Sequence, residues 1–130
     1  MNVLVTGGAG YIGSVCVEHL LNAGHQVTGY DNLSEGHRSA VDTRAAFILG
    51  QPEREGDVLE AVRRVRPDAI MHFAASALVG ESMANPKKYF HNNVVNGLRW
   101  LDAAVECGVR KFVFSSTCAV YGPPERLPMT

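Results

Sequence analysis

Apolar residues in this chain fall into two alternating patterns, short uninterrupted runs and stretches where they recur every three or four positions. The run at 2–6 (NVLVT) predicts a strand, after which Ile12, Cys16, Leu20 and Ala23 repeat at helical spacing until Gly24, a left-handed cap. Residues 26–30 (QVTGY) predict a second strand, 32–45 a polar loop with at most a short helix, and 46–49 (AFIL) a third strand. Val58, Leu59, Val62 and Val65 restore the helical period, with Arg63, Arg64 and Arg66 where cations suit a helix C-terminus and Pro67 stopping it. The arginine cluster reads as a solvated helix end. Residues 69–73 (AIMHF) predict a fourth strand, apolar on both faces as a covered parallel strand is. From 87 to 107 a long helix carries Val94, Leu98, Leu101 and Val105 on one face and Tyr89 and Trp100 on another, both expected to be buried, with Gly108 as its cap. Residues 111–115 (KFVFS) predict a fifth strand. Strands alternating with helices predict one α/β domain over 1–130, a doubly wound parallel sheet of about five strands with helices on both faces.

The first strand runs into Gly7-Gly8-Ala9-Gly10-Tyr11-Ile12-Gly13, a G-x-x-G-x-x-G between a strand and a helix. In that setting Gly7 serves the tight turn, Gly10 lets backbone approach a pyrophosphate, and Gly13 lets the helix pack close. The amides of Tyr11 and Ile12 would meet the phosphates at the positive end of the helix. Asp31 closes the second strand, where this Rossmann-like architecture puts an acid on the ribose hydroxyls. A carboxylate there accepts from both hydroxyls and repels a 2′-phosphate, so NAD is expected over NADP. The bland alternatives are a structural turn and a strand-end Asp that caps a loop.

Composition narrows the class. With 46% apolar and 19% charged residues, the 130-residue chain can build a core of its own. A net charge of −1 with both signs scattered supplies no field for nucleic acid or a charged membrane surface. Cys16, Cys107 and Cys118 are odd in number and far apart, which fits neither a disulfide framework nor a metal site, so reduced and mostly buried thiols are expected. No leader and no apolar run of spanning length is seen, and a cytoplasmic protein follows by default. His19, His25, His37 and His91 lack metal-ligand spacing, and His72 is expected to pack and hydrogen-bond at a strand end.

Four longer strings carry a resemblance: TGGAGYIGS at 6–14, DNLSEGHRSAV at 31–41, HFAASALVGES at 72–82 and FSSTCAVYG at 114–122. In order and spacing they resemble extended short-chain dehydrogenase/reductases of the NAD-dependent epimerase/dehydratase type, and among these the UDP-glucose 4-epimerases. The resemblance implies bound NAD, with Asp31, Asn32, Leu33, Ser34 and Gly36 wrapping the adenosine ribose. It implies that Phe73, Ala74 and Ala75 carry backbone past the middle of the cofactor, that Ala77 stands near the nicotinamide ribose where some relatives have a longer polar residue, and that Asn92 and Ser115 line the site. Thr117 matches the Ser/Thr of the family's catalytic triad, which hydrogen-bonds the O4 of a UDP-hexose. It also implies homodimers paired through the helix at 87–107.

Two departures stand out. The family's general base lies in a Tyr-x-x-x-Lys pair, and none of Tyr11, Tyr30, Tyr89 or Tyr121 has a lysine four residues on. The resemblance therefore implies the front part of such an enzyme, without the base or the portion that holds the uridine nucleotide, and inactive alone. After the third strand the family's Gly-Asp, which reads the adenine edge, is replaced by Gly50-Gln51-Pro52. Gln51 retains an amide oxygen, but Pro52 has no N–H to donate, and Asp57 substitutes only if the loop rearranges. Alternatives are a related nucleotide-sugar dehydratase or decarboxylase and a non-catalytic NAD-binding module.

Overall fold

A computed structural model describes residues 1–124, 126 and 127, apart from the side chains of Cys118 and Ala119. The expectation for the Cys118 thiol therefore lies outside the described residues. Strands β1 (Asn2–Thr6), β2 (Gln26–Asp31), β3 (Ala46–Leu49), β4 (Ala69–His72) and β5 (Phe112–Phe114) form one sheet in the order β3-β2-β1-β4-β5. Every pairing is parallel. Each predicted apolar run is a strand. The chain works outward from β1 to β3 and then returns to the other side with β4, which opens a crevice at the C-terminal ends of the central strands.

Alternation along the strands divides the core between two faces. Val3, Val5 and Val27 pack with Val17 of α1 (Tyr11–Asn22) on one face. Leu4, Tyr30 and Ile70 pack with Val58 and Val62 of α2 (Asp57–Val65) and with Trp100 on the other. Both predicted caps are left-handed glycines, Gly24 at φ 82 and Gly108 at φ 71. Each ends its helix in a paired turn: Gly24 and His25 donate to Leu21 and Leu20, and Gly108 and Val109 donate to Val105 and Ala104.

The structure corrects three helical expectations. In α1 the buried positions are Gly13, Ser14 and Val17, whereas Ile12 is 59% exposed and Ala23 is also outside. The small residues win because they let the helix axis approach the sheet. The helix expected at 87–107 consists of α4 (Pro86–Phe90), a π-helical turn (His91–Val95) and α5 (Asn96–Glu106). Only its Trp100 face is buried, while Val94, Leu98, Leu101 and Val105 face outward. The sheet offers one seat, and Trp100 takes it, meeting Tyr30 edge to face with centroids 4.7 Å apart. A short helix, α3 (Val79–Ala84), lies where none was expected, because six residues show no period. Arg63, Arg64 and Arg66 are exposed, as a solvated helix end requires, and Arg63 forms a surface ion pair with Glu106. Cys16 and Cys107 are free thiols but only half-buried.

His72 does pack and hydrogen-bond at its strand end. Its Nδ1 shares a 2.6 Å hydrogen bond with Thr6 Oγ1, and its ring stacks on Phe114. Burial disfavours the imidazolium and holds the pKa down to about 4. The unfolded chain then takes up a proton near pH 6.5 that the native chain refuses until about pH 4. This contribution is intact above pH 6.5 and is lost as pH falls through that window, by up to about 3 kcal/mol. Urea unfolding between pH 4 and 7 should show this slope, and His72→Gln should flatten it. An unchanged slope in the variant would assign the acid sensitivity elsewhere.

Candidate functional site

The crevice is a cleft of about 380 Å³ built on the glycine turn. Gly7, at φ 70, bends the chain so that its own N–H and that of Gly8 donate to the Tyr30 carbonyl at 2.9 and 3.2 Å. A Cβ on Gly7 would stand 2.8 Å from the Ala74 nitrogen, and one on Gly13 would stand 2.0 Å from the Gly7 carbonyl oxygen. Gly13 thus seats the first turn of α1 directly on the loop. Gly10 is the N-cap and brings no capping side chain, and the first turn contains no acid. The amides of Tyr11, Ile12 and Gly13 therefore have no intrahelical partner at the cleft wall, which suits an anion.

Asp31 is 8% exposed and borders the cleft. Its Oδ2 accepts from the Ala9 N–H at 3.0 Å and its Oδ1 from the Leu33 N–H at 2.8 Å, which orients the carboxylate and leaves lone pairs for hydroxyl donors. Asn32 Oδ1 accepts from the Ser34 N–H at 3.0 Å, and Gly36 packs on Ala9, so the loop folds back on the glycine turn. Asn32, Ser34 and Gly36 border the cleft. Leu33 does not: in the left-handed region at φ 59, its half-buried side chain packs against the core cluster that contains Val17.

Phe73, Ala74, Ala75, Ala77 and Asn92 form the opposite wall. Glu35, within the 31–36 loop expected around the ribose, also borders the cleft, as does Ser76, which the sequence did not single out. Asn93 brackets Ser76, accepting from its N–H at 2.8 Å and donating to its carbonyl at 2.9 Å. Asn92 donates to the Ser76 hydroxyl at 3.1 Å, and Asn96 donates to Asn92. Arg99 continues the row, with Nη1 3.1 Å from Asn96 Oδ1 and 2.6 Å from the Pro52 carbonyl. A polar stripe at 92, 93, 96 and 99 on a largely apolar helix was the signal available. The π turn brings adjacent Asn92 and Asn93 together onto Ser76.

Ser115 and Thr117 do not border the cleft. Ser115 extends β5 by donating to the His72 carbonyl at 3.2 Å, and Thr117 is exposed just beyond. Pro52 borders the cleft and Gln51 does not. Neither Tyr30 nor Tyr89 is set up as a base. Tyr30 donates to Asp57 at 3.1 Å, and burial together with that carboxylate pushes its phenol pKa up. Tyr89 donates to the Leu78 carbonyl and to Glu81, and its pKa is likewise raised, first by desolvation. Lys88 is paired with Glu81 at 2.7 Å and with Glu35 at 3.6 Å.

A parallel doubly wound sheet, a glycine turn with a bare helix N-terminus and an oriented acid at the end of β2 define a dinucleotide-binding α/β protein. More particularly, the chain belongs to the NAD dependent epimerase/dehydratase family, whose pattern matches residues 3–130. It is 48% identical to a UDP-glucose 4-epimerase of Corynebacterium glutamicum over 100% of this chain and 39% of that protein. A UDP-glucose 4-epimerase of Streptomyces lividans is 48% identical over 97% of this chain and 39% of its own length. Among solved structures, UDP-glucose 4-epimerase from Brucella ovis in complex with NAD superposes with a TM-score of 0.91 at 46% identity, over 98% of this chain and 39% of that one. The chain thus spans about two fifths of the length of the relatives it matches.

Proposed function

We propose that these residues are the NAD-binding part of a UDP-glucose 4-epimerase-type enzyme that interconverts UDP-glucose and UDP-galactose in the cytoplasm. The observation that carries the reading is the Asp31 carboxylate, fixed by the Ala9 and Leu33 amides beside the bare N-terminus of α1. The residues fit a dinucleotide: the close approach at Gly7 and Gly13 leaves the first-turn amides for the pyrophosphate, and Asp31 takes the ribose hydroxyls. When bound, NAD would supply a reversible hydride acceptor for C4 of the sugar. In this reading Phe73–Ala77 and Asn92 line the nicotinamide half, and Thr117 hydrogen-bonds the sugar O4. The uridine nucleotide and the Tyr-x-x-x-Lys base would come from further sequence of the kind the longer relatives have. The exposed face of Val94, Leu98, Leu101 and Val105 supports pairing of two copies through this helix. No helix among the described residues is long and apolar enough to cross a membrane.

Calorimetric titration with both dinucleotides tests the cofactor assignment. NAD is expected to bind at least about tenfold more tightly than NADP, because a 2′-phosphate would meet Asp31 at hydrogen-bonding range with like charge. Equal or tighter NADP binding would remove Asp31 from the ribose.

A further inference from the structure

Among the described residues, the loop after β3 offers the base of the proposed NAD site an apolar proline and no free backbone N–H. The pyrophosphate position at the β1–α1 turn and the ribose position at Asp31 run the dinucleotide outward from β1 to β2, so the base lies toward β3 and the loop that follows it. Adenine and hypoxanthine differ on one edge. Adenine offers an amino donor at C6 and an acceptor at N1; hypoxanthine offers a carbonyl acceptor at C6 and an N1–H donor. A wall that distinguishes them needs an acceptor facing C6 and a donor facing N1.

After β3, both backbone N–H groups of residues 50–52 are engaged within the protein, and the Gln51 and Pro52 carbonyls each already accept one hydrogen bond. The Gly50 N–H donates to the Asp31 carbonyl at 3.0 Å, and the Gln51 carbonyl accepts from the Arg54 N–H at 2.9 Å. The Gln51 N–H donates to Asp57 Oδ2, which also takes the Tyr30 hydroxyl at 3.1 Å, so the nearby acid is turned into the fold. Pro52 has no N–H, and its carbonyl accepts from Arg99 Nη1 at 2.6 Å. It is the buried Pro52, and not Gln51, that borders the cleft. Toward the ribose, Asn32 spends its side-chain oxygen on the Ser34 N–H at 3.0 Å.

The geometry points to a site that accepts nicotinamide dinucleotides carrying a 6-oxopurine as readily as those carrying adenine. An apolar wall cannot strongly reject an isostere, whereas a wall built to hydrogen-bond an edge does so because the wrong edge leaves buried groups unpaired. Arg99 and Asp57 are positioning residues for this subsite: they hold the loop with its polar groups inward. The inference rests on the NAD reading above and deepens it.

The test is calorimetry on the full chain, freed of any copurifying nucleotide, with NAD and with nicotinamide hypoxanthine dinucleotide in parallel. The two dissociation constants are expected to agree within about twofold, against the roughly tenfold gap that one well-made hydrogen bond to the base edge produces. A preference for NAD beyond about threefold overturns the inference while leaving the NAD reading standing. Failure of both dinucleotides to bind instead removes the NAD reading, and the inference with it. A second arm uses Pro52→Ile, which supplies the missing N–H donor at the residue that borders the cleft. This variant should tighten NAD by about tenfold and leave the hypoxanthine analogue behind. An equal response of both ligands places the base edge elsewhere and likewise overturns the inference.

Discussion

Saturated with NAD and UDP-glucose and purified free of host epimerase, the 130-residue chain is expected to form no detectable UDP-galactose. Removal of the O4 proton needs a base that is both ionisable near neutral pH and placed at the sugar. Tyr30 fails on both counts, since it is 2% exposed in the core and its proton is committed to Asp57. Tyr89 is tied to Glu81 and the Leu78 carbonyl, and Tyr11 stands at the rim with no lysine four residues on. Thr117 can polarise a hydroxyl but cannot take its proton. General-base assistance commonly carries about 10²–10⁴-fold in rate. The larger requirement is positional: holding C4 against the nicotinamide contributes on the order of 7–11 kcal/mol, and in the proposed reading the nucleotide that anchors the sugar is held by further sequence of the kind the longer relatives have. The measurement is coupled detection of UDP-galactose. Turnover that survives purification and vanishes in Thr117→Val would show that a base exists among these residues after all.

What the sequence disclosed depended on whether a feature is local. The strands were legible because each is a short apolar run with turn chemistry at both ends, and Gly24 and Gly108 marked their helix ends because φ near 80° is costly for any other residue. The glycine turn and Asp31 were legible for the same reason: their jobs follow from neighbours in the chain. Features decided by competition between distant residues were not. The 86–106 helix has two apolar faces, and periodicity cannot say which one docks; the outcome turned on Trp100 fitting against Tyr30 across 70 residues of sequence. Leu33 sits among polar loop residues in the sequence, yet its half-buried side chain packs against the core cluster. The inward turn of Gln51 and Asp57, and the reach of Arg99 to the Pro52 carbonyl, are pairings that only folding brings together.

The last expected result concerns two glycines for which helix propensity predicts the same effect. Replacing glycine by alanine inside a helix ordinarily stabilises by about 1 kcal/mol, because the unfolded chain has less freedom to lose. Gly97, in α5, meets that condition: nothing lies within 4 Å of where its Cβ would stand, so Gly97→Ala should raise the melting temperature by a few degrees, roughly 0.5–1 kcal/mol. Gly13, in α1, should behave oppositely. A Cβ there would lie 2.0 Å from the Gly7 carbonyl oxygen and 2.8 Å from its carbon. These are backbone atoms of a turn that is itself held by two hydrogen bonds to Tyr30, so no rotamer change relieves the overlap. Either α1 lifts off the sheet, exposing Val17 and its neighbours, or the turn opens and the first-turn amides leave the cleft. Gly13→Ala should therefore cost at least about 3 kcal/mol, a fall in melting temperature on the order of 10 °C, and should abolish NAD binding in calorimetry even well below that temperature. Stabilisation by both substitutions would mean that α1 does not rest on the turn, and the close helix–turn contact on which the pyrophosphate assignment depends would have to be abandoned.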